Sequence, residues 1–486
     1  METGKHGLQR ELRLRDLVPM QIVVIVWLGW TGFAAKQGPT HLVLWLLAIV
    51  LFYLPLALVV MKLSRSLPME GGVYQWVKEG ASPFGGYLAG WNYTLYVVAT
   101  FAVSGSLIAN SLAYAAGPRG AWMLNNRAFA LFLTVVVCVT AYVFNVRGLH
   151  LAKWWSNAAS VLMVGTFLVL LFLLIRAALL GLPSVHGALS LAWPAASILT
   201  LNVFTKISLS ALSGFDGAAI FSEECRKPEN DVARSVVIAA PLIALMYILG
   251  TGAVLAYVPP SQVDLAASVP QTIQAGFGAT GWGGALTEIA SLGFVLSYVA
   301  SIVVYIGMTA RLPMVAGWDG FLPGWWSALH PRWRTPAKAI AAVTLTIFVL
   351  GCLSLWGANN EEAVQAGIGA AFGCYCVTDM LLFGVVLFGF RAGSVRFGLP
   401  LKLAAAAAFL VSLGALIFEV VPLEEVSSPV LFALKVAGAI CVMNAMGAFL
   451  YWRGTRRLVK LDAEAIPQPG SEAGPEAGLS AEAEID

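Results

Sequence analysis

Residues 208–217 combine the residue types that an unwound helix uses to bind a small molecule. The run reads Ser-Leu-Ser-Ala-Leu-Ser-Gly-Phe-Asp-Gly and interrupts a long apolar stretch. Glycine weakens a helix, and small hydroxyl side chains compete for backbone hydrogen bonds. An unwound turn frees N–H groups that suit a carboxylate and C=O groups that suit an ammonium or a cation. We therefore predict a substrate site here, built from Ser210, Leu212, Ser213, Gly214 and Phe215.

A similar interruption occurs near the N-terminus, in residues 27–33, which read Trp-Leu-Gly-Trp-Thr-Gly-Phe. In a membrane, such a break persists only where it lines a cavity or binds something, because orphan N–H and C=O groups are costly there. Glycine that merely allows close helix packing is the alternative. The predicted binding residues of this segment are Gly29, Trp30, Thr31 and Gly32.

The composition indicates that these breaks lie in a membrane protein. Hydrophobic residues make up 59% of the 486 residues and charged residues 11%, against about 25% charge in a soluble domain. Too few charges are present to cover a water-soluble particle. A soluble enzyme and a nucleic-acid binder are thereby excluded, and the lipid bilayer is the expected surrounding.

Apolar runs of roughly 20 residues predict the membrane-spanning helices. Twelve such runs occur, at residues 17–36, 40–62, 84–116, 127–146, 150–180, 196–222, 232–258, 281–312, 335–356, 363–390, 398–421 and 428–452. The two breaks fall in the first and sixth runs, five helices apart. That correspondence indicates two inverted repeats with a site between them, over residues 17–180 and 196–390, followed by two further helices over residues 398–452.

Charge places both termini on one side of the predicted bundle. With the N-terminus in the cytoplasm, 23 of the 29 Lys and Arg residues fall on the cytoplasmic side, as the positive-inside rule requires. We therefore predict a multi-pass protein of the cytoplasmic (inner or plasma) membrane. Residues 1–16 form a cytoplasmic tail, and the acidic residues 461–486 have too little apolar bulk to fold.

Four charged residues inside the spans are candidates for gating or coupling. Lys206 and Ser210 share a helix face, and we predict that Lys206 pairs with Glu288 as an external gate; snorkelling of Lys206 to the interface is the alternative. Asp216 is the predicted coupling acid, since removal from water disfavours its charged form, and a helix cap is its alternative role. Asp379 is a further candidate gate.

Polar and aromatic residues on two other spans are predicted to line the same cavity. Tyr298 and Tyr305 lie on one face of the eighth span, and Asn92 and Tyr96 form an i, i+4 pair in the third. Helix packing is the alternative for both pairs. Glu223 and Glu224 are expected to anchor a cytoplasmic loop through an ion pair.

Several motifs resemble one superfamily of transporters. Residues 66–77 contain Pro68, Gly71, Gly72 and Tyr74, residues 214–216 read Gly-Phe-Asp and precede residues 223–228, and residues 311–323 end in Asp-Gly-Phe-Leu-Pro. Together they resemble the amino acid–polyamine–organocation superfamily, in its bacterial amino acid permease branch. The resemblance implies an all-α fold of the leucine-transporter type: twelve transmembrane helices, a 5+5 inverted repeat with broken helices 1 and 6, and two C-terminal helices.

The resemblance also implies a function and shows two departures. It implies transport of amino acids or related amines by alternating access, with the amino and carboxyl groups held at the two breaks. The family's Gly-Ser-Gly triplet is replaced by residues 29–32, Gly-Trp-Thr-Gly. The lysine that proton-coupled relatives carry after an Asn in the fifth helix does not follow Asn157.

We expect a secondary active amino acid transporter, coupled to protons by symport or exchange. No phosphate-binding loop of an ATPase occurs, and the absence of a basic residue at the breaks favours neutral or small substrates. A polyamine or organic-amine transporter, a major facilitator and an intramembrane enzyme are the alternatives. The five histidines lie in tails, loops or rims, so we expect no enzyme, no metal and no cofactor. Predicted external loops lack cysteine, so no disulfide-linked accessory subunit is expected.

Overall fold

The computed structural model describes residues 6–124, 126–265, 267–355, 360–389, 395–422 and 426–465, and these residues are predominantly α-helical. The α-helices, in chain order, are α1 (Leu14–Ile25), α2 (Trp30–Ala35), α3 (His41–Ala48), α4 (Leu54–Ser66), α5 (Val73–Gly80), α6 (Pro83–Ala102), α7 (Ser104–Ala116), α8 (Arg127–Val146), α9 (Leu149–Leu179), α10 (Ser184–Ala188), α11 (Ile198–Lys206), α12 (Phe215–Ile220), α13 (Pro228–Tyr257), α14 (Ser268–Phe277), α15 (Gly281–Trp318), α16 (Ala337–Ser354), α17 (Asn360–Phe388), α18 (Leu399–Phe418) and α19 (Pro429–Ala465).

These helices confirm the predicted all-α membrane architecture. Within the described residues, ten helical segments are long and apolar enough to cross a bilayer, or up to eleven if α6 and the following bent segment Ser104–Met123 count as one span. The first predicted span is split into α1 and α2, each too short to cross alone. The exact number of twelve spans remains a prediction.

The first helix break occupies residues 26–29, between α1 and α2. Val26 is extended, with φ −81° and ψ 105°, and its N–H still donates to the carbonyl of Ile22. Trp30, Thr31 and Gly32 belong to α2. The break therefore starts one residue earlier than residues 27–33 suggest, and it is shorter.

The second break separates α11 from α12. A π-helical segment, Ile207–Ala211, continues α11 and leads into residues 212–214. Gly214 has φ +119°, a conformation that residues with a Cβ rarely adopt. The glycine therefore permits α12 to start in a new direction immediately after the break.

The two breaks lie against each other at the centre of the bundle. Gln21 of α1 donates a hydrogen bond to the carbonyl of Phe215 over 3.3 Å. A Cβ at Gly214 would lie 3.1 Å from the Cγ1 atoms of both Val24 and Ile25. Around them, α1 packs against α9, α13 and α15, so unbroken helices support the broken ones.

Both ends of the described chain lie on the same side of the bundle. His6 stacks on Trp318 with ring centroids 4.0 Å apart, and Leu458 of α19 packs against the nearby Gly320. α19 continues to Ala465, past the predicted start of the acidic tail at residue 461. Residues 466–486 lie outside the described residues.

Candidate functional site

A cavity of about 980 Å³ lies beside the first helix break. Residues 23–27 form part of its wall, and α6, α7, α15 and α17 each contribute three or four further residues. The cavity extends toward Met123, Leu355 and Val426, which lie near the ends of the bundle remote from His6. We call this end of the bundle the open side and the end that carries His6 the sealed side.

Seven aromatic side chains surround the inner part of the cavity in a closed sequence of contacts, which we call the aromatic girdle. Neighbouring ring centroids are 5.2–6.4 Å apart, within the range of favourable aromatic pairs. Four helices contribute to the girdle, so an apolar group bound there would touch all of them. The members, in contact order, are Trp27, Trp30, Phe372, Tyr96, Tyr305, Phe101 and Tyr298.

Side chains satisfy the backbone groups that the first break frees. Tyr247 donates to the carbonyl of Ile25 at 2.7 Å and accepts from the N–H of Trp27 at 3.0 Å. Ser301 donates to the carbonyl of Val23 at 2.9 Å, and Tyr305 donates to that of Val24 at 2.8 Å. The first break is therefore held in shape by α13 and α15.

Thirteen of the seventeen predicted site residues either line the cavity or lie at a break. Six of them line the cavity: Trp30, Tyr96, Lys206, Ser210, Tyr298 and Tyr305. Seven lie in the breaks or in the first turn of the helix that follows, and do not line the cavity: Gly29, Thr31, Gly32, Leu212, Ser213, Gly214 and Phe215. Thr31, for example, donates to the carbonyl of Leu28, and Phe215 packs on Tyr53 with centroids 4.8 Å apart.

Asn92 does not line the cavity, contrary to the prediction. Its side-chain amide donates to Asn444 of α19 over 2.8 Å and to the carbonyl of Leu88 over 2.9 Å. Asn92 and Tyr96 are one helical turn apart, but Asn92 meets α19 whereas Tyr96 lines the cavity. Asn92 therefore links α6, in the first predicted repeat, to α19, the last helix.

The predicted ion pair between Lys206 and Glu288 is wrong. The ammonium of Lys206 lies 2.7 Å from Oε2 of Glu419 at the end of α18, and both residues line the cavity. Glu288 is exposed on α15 and does not line it. Lys206 and Ser210 both line the cavity, but the partner of Lys206 comes from the eleventh predicted span.

Asp216 and Asp379 lie beneath the aromatic girdle, each 1% exposed. The hydroxyl of Tyr375 donates to Oδ1 of Asp216 over 3.3 Å. Among the described residues, Oδ2 of Asp216 and both carboxylate oxygens of Asp379 have no hydrogen-bond partner. Tyr375 and Asp379 are one turn apart on α17, so one helix brings both groups to α12.

The N-terminal segment closes the sealed side. The N–H groups of Glu11 and Leu12 both donate to the carbonyl of Glu224, at 2.9 and 3.0 Å, and Arg226 donates back to Leu12 at 2.9 Å. Nδ1 of His6 lies 2.8 Å from Oε1 of Glu223. The segment before α1 is therefore fastened to the loop after α12, immediately beyond the second break.

A buried arginine holds the same side together. Arg311 donates from Nε and Nη2 to the two carboxylate oxygens of Glu224, at 2.9 and 2.8 Å, and Oε1 of Glu70 lies 3.6 Å from its Nε. Oε2 of Glu70 accepts from the N–H of Glu223 at 2.8 Å. The predicted anchoring ion pair of Glu224 is thus confirmed.

Two carboxylates share this one guanidinium. Burial raises the pKa of Glu70, and the neighbouring Glu224 raises it further, while Arg311 opposes both effects. Burial also raises the pKa of Glu224, against the opposing charge of Arg311. Protonation of Glu70 therefore favours the sealed arrangement, in which the carboxyl is buried.

Several residues of the site escape sequence reasoning. Seven residues that line the cavity or hold the site in shape were not predicted as site residues: Trp27, Phe101, Phe372, Tyr247, Ser301, Tyr375 and Glu419. The sequence did contain a signal for Glu419, because an acidic residue at the end of the apolar run 398–421 needs a partner for its charge. The others resemble ordinary interior residues of a membrane helix.

Two adjoining helix breaks, a large cavity open on one side and a charged closure on the other define a class of protein. This geometry is that of a membrane transporter. In the part of the chain that the structure describes, no group of three or more metal-ligating side chains occurs.

Comparison with known proteins identifies the family. A profile described as amino acid permease matches residues 20–449, so this chain belongs to that family, within the amino acid–polyamine–organocation superfamily. The protein is a multi-pass membrane transporter for a small molecule, not an enzyme.

The relatives and a solved structure agree with this assignment. The chain is 23% identical over 357 residues to the uncharacterized transporter lpg1691 of Legionella pneumophila, covering 70% of this chain and 74% of the relative. It is 27% identical over 318 residues to the low-affinity putrescine importer PlaP of Escherichia coli K12, covering 63% and 64%. The crystal structure of MhsT in complex with L-phenylalanine matches with a TM-score of 0.61 at 16% identity, over 85% of this chain and 98% of MhsT. This likeness confirms the leucine-transporter-type fold.

Proposed function

We propose that this protein carries amino acids across the cytoplasmic membrane by alternating access, as a proton-coupled symporter or an exchanger. The observation that carries the proposal is the cavity of about 980 Å³, which reaches the first helix break and, among the described residues, extends to the open side. The aromatic girdle suits an apolar side chain. The sealed side is closed by ion pairs that separate when the protein turns inward.

The orientation is part of the proposal. The termini face the cytoplasm, so the open side faces outward. Two observations support this orientation: 23 of the 29 Lys and Arg residues fall on the side assigned to the cytoplasm, and both ends of the described chain lie on the sealed side. An impermeant thiol reagent added to intact cells should not reach a cysteine placed at His6, but should reach it after permeabilisation.

Proton coupling is assigned to Asp216. Its carboxylate is buried beside the second break, where protonation would change the packing of α12 against Tyr375 and α17. Asp216→Asn should flatten the pH dependence of net uptake more than it weakens substrate binding. The measurement is uptake into proteoliposomes across imposed pH gradients, paired with equilibrium binding. Gradient-driven accumulation that survives intact would remove Asp216 as the coupling acid and leave Asp379 or pure exchange.

A polyamine or other organic amine is the second candidate substrate. The unpartnered carboxylate oxygens of Asp216 and Asp379, among the described residues, favour a cation, and a relative is named as a putrescine importer. Uptake assays with the twenty amino acids, putrescine and agmatine separate the two candidates. Accumulation of an amino acid supports the first, accumulation of the amines alone supports the second, and uptake of neither contradicts both.

A further inference from the structure

The last helix, α19, carries a cluster of positive charge at its sealed-side end. Arg453, Arg456 and Arg457 are exposed, and none of them forms an ion pair with a described acid. Leu458 packs against Gly320 and so places this end of the helix on the sealed side. Arg453 and Arg457 are four residues apart, a spacing at which like charges destabilise a helix. Their clustering therefore calls for an anion that compensates it.

The cluster lies where α19 leaves the bilayer. The helix begins at Pro429, close to Val426 of the open side. Its apolar stretch Pro429–Val459 has 31 residues, which rise about 46 Å at 1.5 Å per residue. The hydrocarbon core of a bilayer is only about 30 Å thick. The last turns of α19 therefore extend into the head-group layer on the sealed side.

An exposed apolar stripe runs along the same face of α19 and ends at the arginines. Val442, Met446 and Phe449 are 68%, 46% and 54% exposed. Their spacing of four and then three residues continues to Arg453 and Arg456, so all five share one face. Apolar side chains that a membrane helix exposes contact lipid chains. This face therefore presents apolar and cationic groups in the order in which a phospholipid presents its acyl chains and its phosphate.

Trp452 connects the apolar stripe to the arginines. Its ring centroid lies 6.0 Å from that of Phe449, and the guanidinium carbon of Arg456 lies 3.8 Å from the centroid of the Trp452 ring. The second contact is a cation–π interaction. Tryptophan is enriched at the membrane–water interface because its ring is apolar and its N–H is polar. Trp452 therefore holds the guanidinium of Arg456 at the depth of the lipid head groups.

The opposite face of this helix end is packed firmly on the bundle. The ring of Tyr451 lies 4.7 Å from that of Phe321 and 5.4 Å from that of Tyr87, between centroids. A Cβ at Gly454 would collide with the backbone carbonyl of Phe321, so the helix approaches this segment more closely than a larger residue permits. Because the backbone is fixed, the arginines lose less freedom when they bind a ligand.

We infer that Arg453, Arg456 and Arg457 bind the phosphate of an anionic phospholipid, whose acyl chains lie along the exposed apolar stripe of α19. Guanidinium groups match phosphate oxygens through paired hydrogen bonds. A head group with a net negative charge, such as that of phosphatidylglycerol, compensates the arginines, whereas zwitterionic phosphatidylcholine does not. The inference goes beyond the proposed function and needs only that α19 crosses a bilayer, so a failure of either leaves the other standing.

Native mass spectrometry of the purified full-length protein tests the inference by counting bound lipids. The probes are phosphatidylglycerol and phosphatidylcholine with the same acyl chains, and inorganic phosphate and glycerol phosphate as anions without chains. We expect phosphatidylglycerol to bind at least tenfold more tightly than phosphatidylcholine. The two soluble anions should not displace it at equal concentration. Equal binding of the two lipids, or displacement by either soluble anion, would overturn the inference.

Variants of the cluster provide the second arm. Changing all three arginines to Gln should weaken phosphatidylglycerol binding at least tenfold, whereas changing all three to Lys keeps the charge and should weaken it no more than about threefold. The matched control removes three exposed basic residues elsewhere on the sealed side: Arg147→Gln, Arg226→Gln and Lys227→Gln. It should bind the lipid as wild type does. Wild-type binding by the Gln variant of the cluster, or an equal loss in the control, would overturn the inference.

Discussion

The sealed and open sides of the bundle differ in how closely their polar groups are packed. On the sealed side, Arg311, Glu224, Glu70 and the N-terminal segment are joined through ion pairs and backbone hydrogen bonds. On the open side, the ion pair of Lys206 and Glu419 borders a cavity of about 980 Å³. The difference identifies the sealed side as the side that is closed in this conformation.

The largest expected effect comes from filling the junction of the two breaks. Gly214→Leu should reduce uptake by more than about 100-fold, since strain at a positive φ costs on the order of 1–3 kcal/mol before any collision, and the side chain would meet Val24 and Ile25. Uptake into proteoliposomes, with size-exclusion chromatography to confirm folding, measures it. Gly165→Leu is the matched control, because no atom lies within 4 Å of its Cβ position. Wild-type uptake in Gly214→Leu would remove the breaks from the transport cycle.

The next effect concerns the closure of the sealed side. Arg311→Lys keeps the charge but loses the two-pronged contact with Glu224, and hydrogen bonds to charged groups contribute about 1.5–3 kcal/mol. The sealed side should open more often, so alkylation of the buried Cys225 should accelerate at least about tenfold. The exposed Arg147→Lys should leave the alkylation rate unchanged. An equal rate in both variants would mean that Arg311 does not hold this side closed.

A smaller effect is expected where α13 supports the first break. Tyr247→Phe removes the hydroxyl that bonds both Ile25 and Trp27, and each lost partner costs about 1–3 kcal/mol. Substrate affinity should weaken about tenfold in equilibrium binding. Tyr257→Phe, on the same helix, is the control, because the Tyr257 hydroxyl donates to the carbonyl of Leu173 at 3.1 Å and not to the first break. Equal affinities for the two variants would show that the break needs no such support.

The smallest expected effect is that closure of the sealed side depends on pH. Since the pKa of Glu70 is raised in the closed arrangement, acid favours closure, and this contribution is lost as the pH rises through the raised pKa. The charged groups that face Glu70 are Glu224, Arg311 and Glu223. Glu70→Gln should keep the hydrogen bond from Glu223. The pH dependence of the thiol itself cancels in the ratio of the variant's Cys225 alkylation rate to that of wild type, so this ratio should change with pH. If the variant kept the wild-type pH profile of Cys225 alkylation, the pH dependence would have to come from a group other than Glu70.

Features that depend on residue type, such as the helix breaks, were predicted from the sequence. Features that depend on which helices pack together were not. Both breaks were predicted from their glycine and hydroxyl residues, because these residue types weaken a helix whatever it packs against. Helical periodicity placed Lys206 and Ser210 on one face, and both line the cavity. Its partner Glu419 is 213 residues away, and the donor Tyr247 is 222 residues from Ile25. Periodicity does not specify which helix a face meets, so Asn92 was also misplaced.

The most direct test of alternating access is the accessibility of Cys225 during transport. Cys225 is fully buried on the sealed side, and all six cysteines are free. A variant that keeps it as its only cysteine would replace Cys138, Cys352, Cys374, Cys376 and Cys441. Proteoliposomes of this variant would be exposed to an impermeant maleimide on the sealed side while substrate is supplied from the open side.

We predict slow labelling of Cys225 without substrate and faster labelling during uptake, because the N-terminal segment must separate from Glu224 each time the site turns inward. Adding Gly214→Leu should abolish the acceleration. Sustained uptake with no change in the labelling rate of Cys225 would contradict alternating access through the sealed side, since substrate would then leave by a path that does not open it.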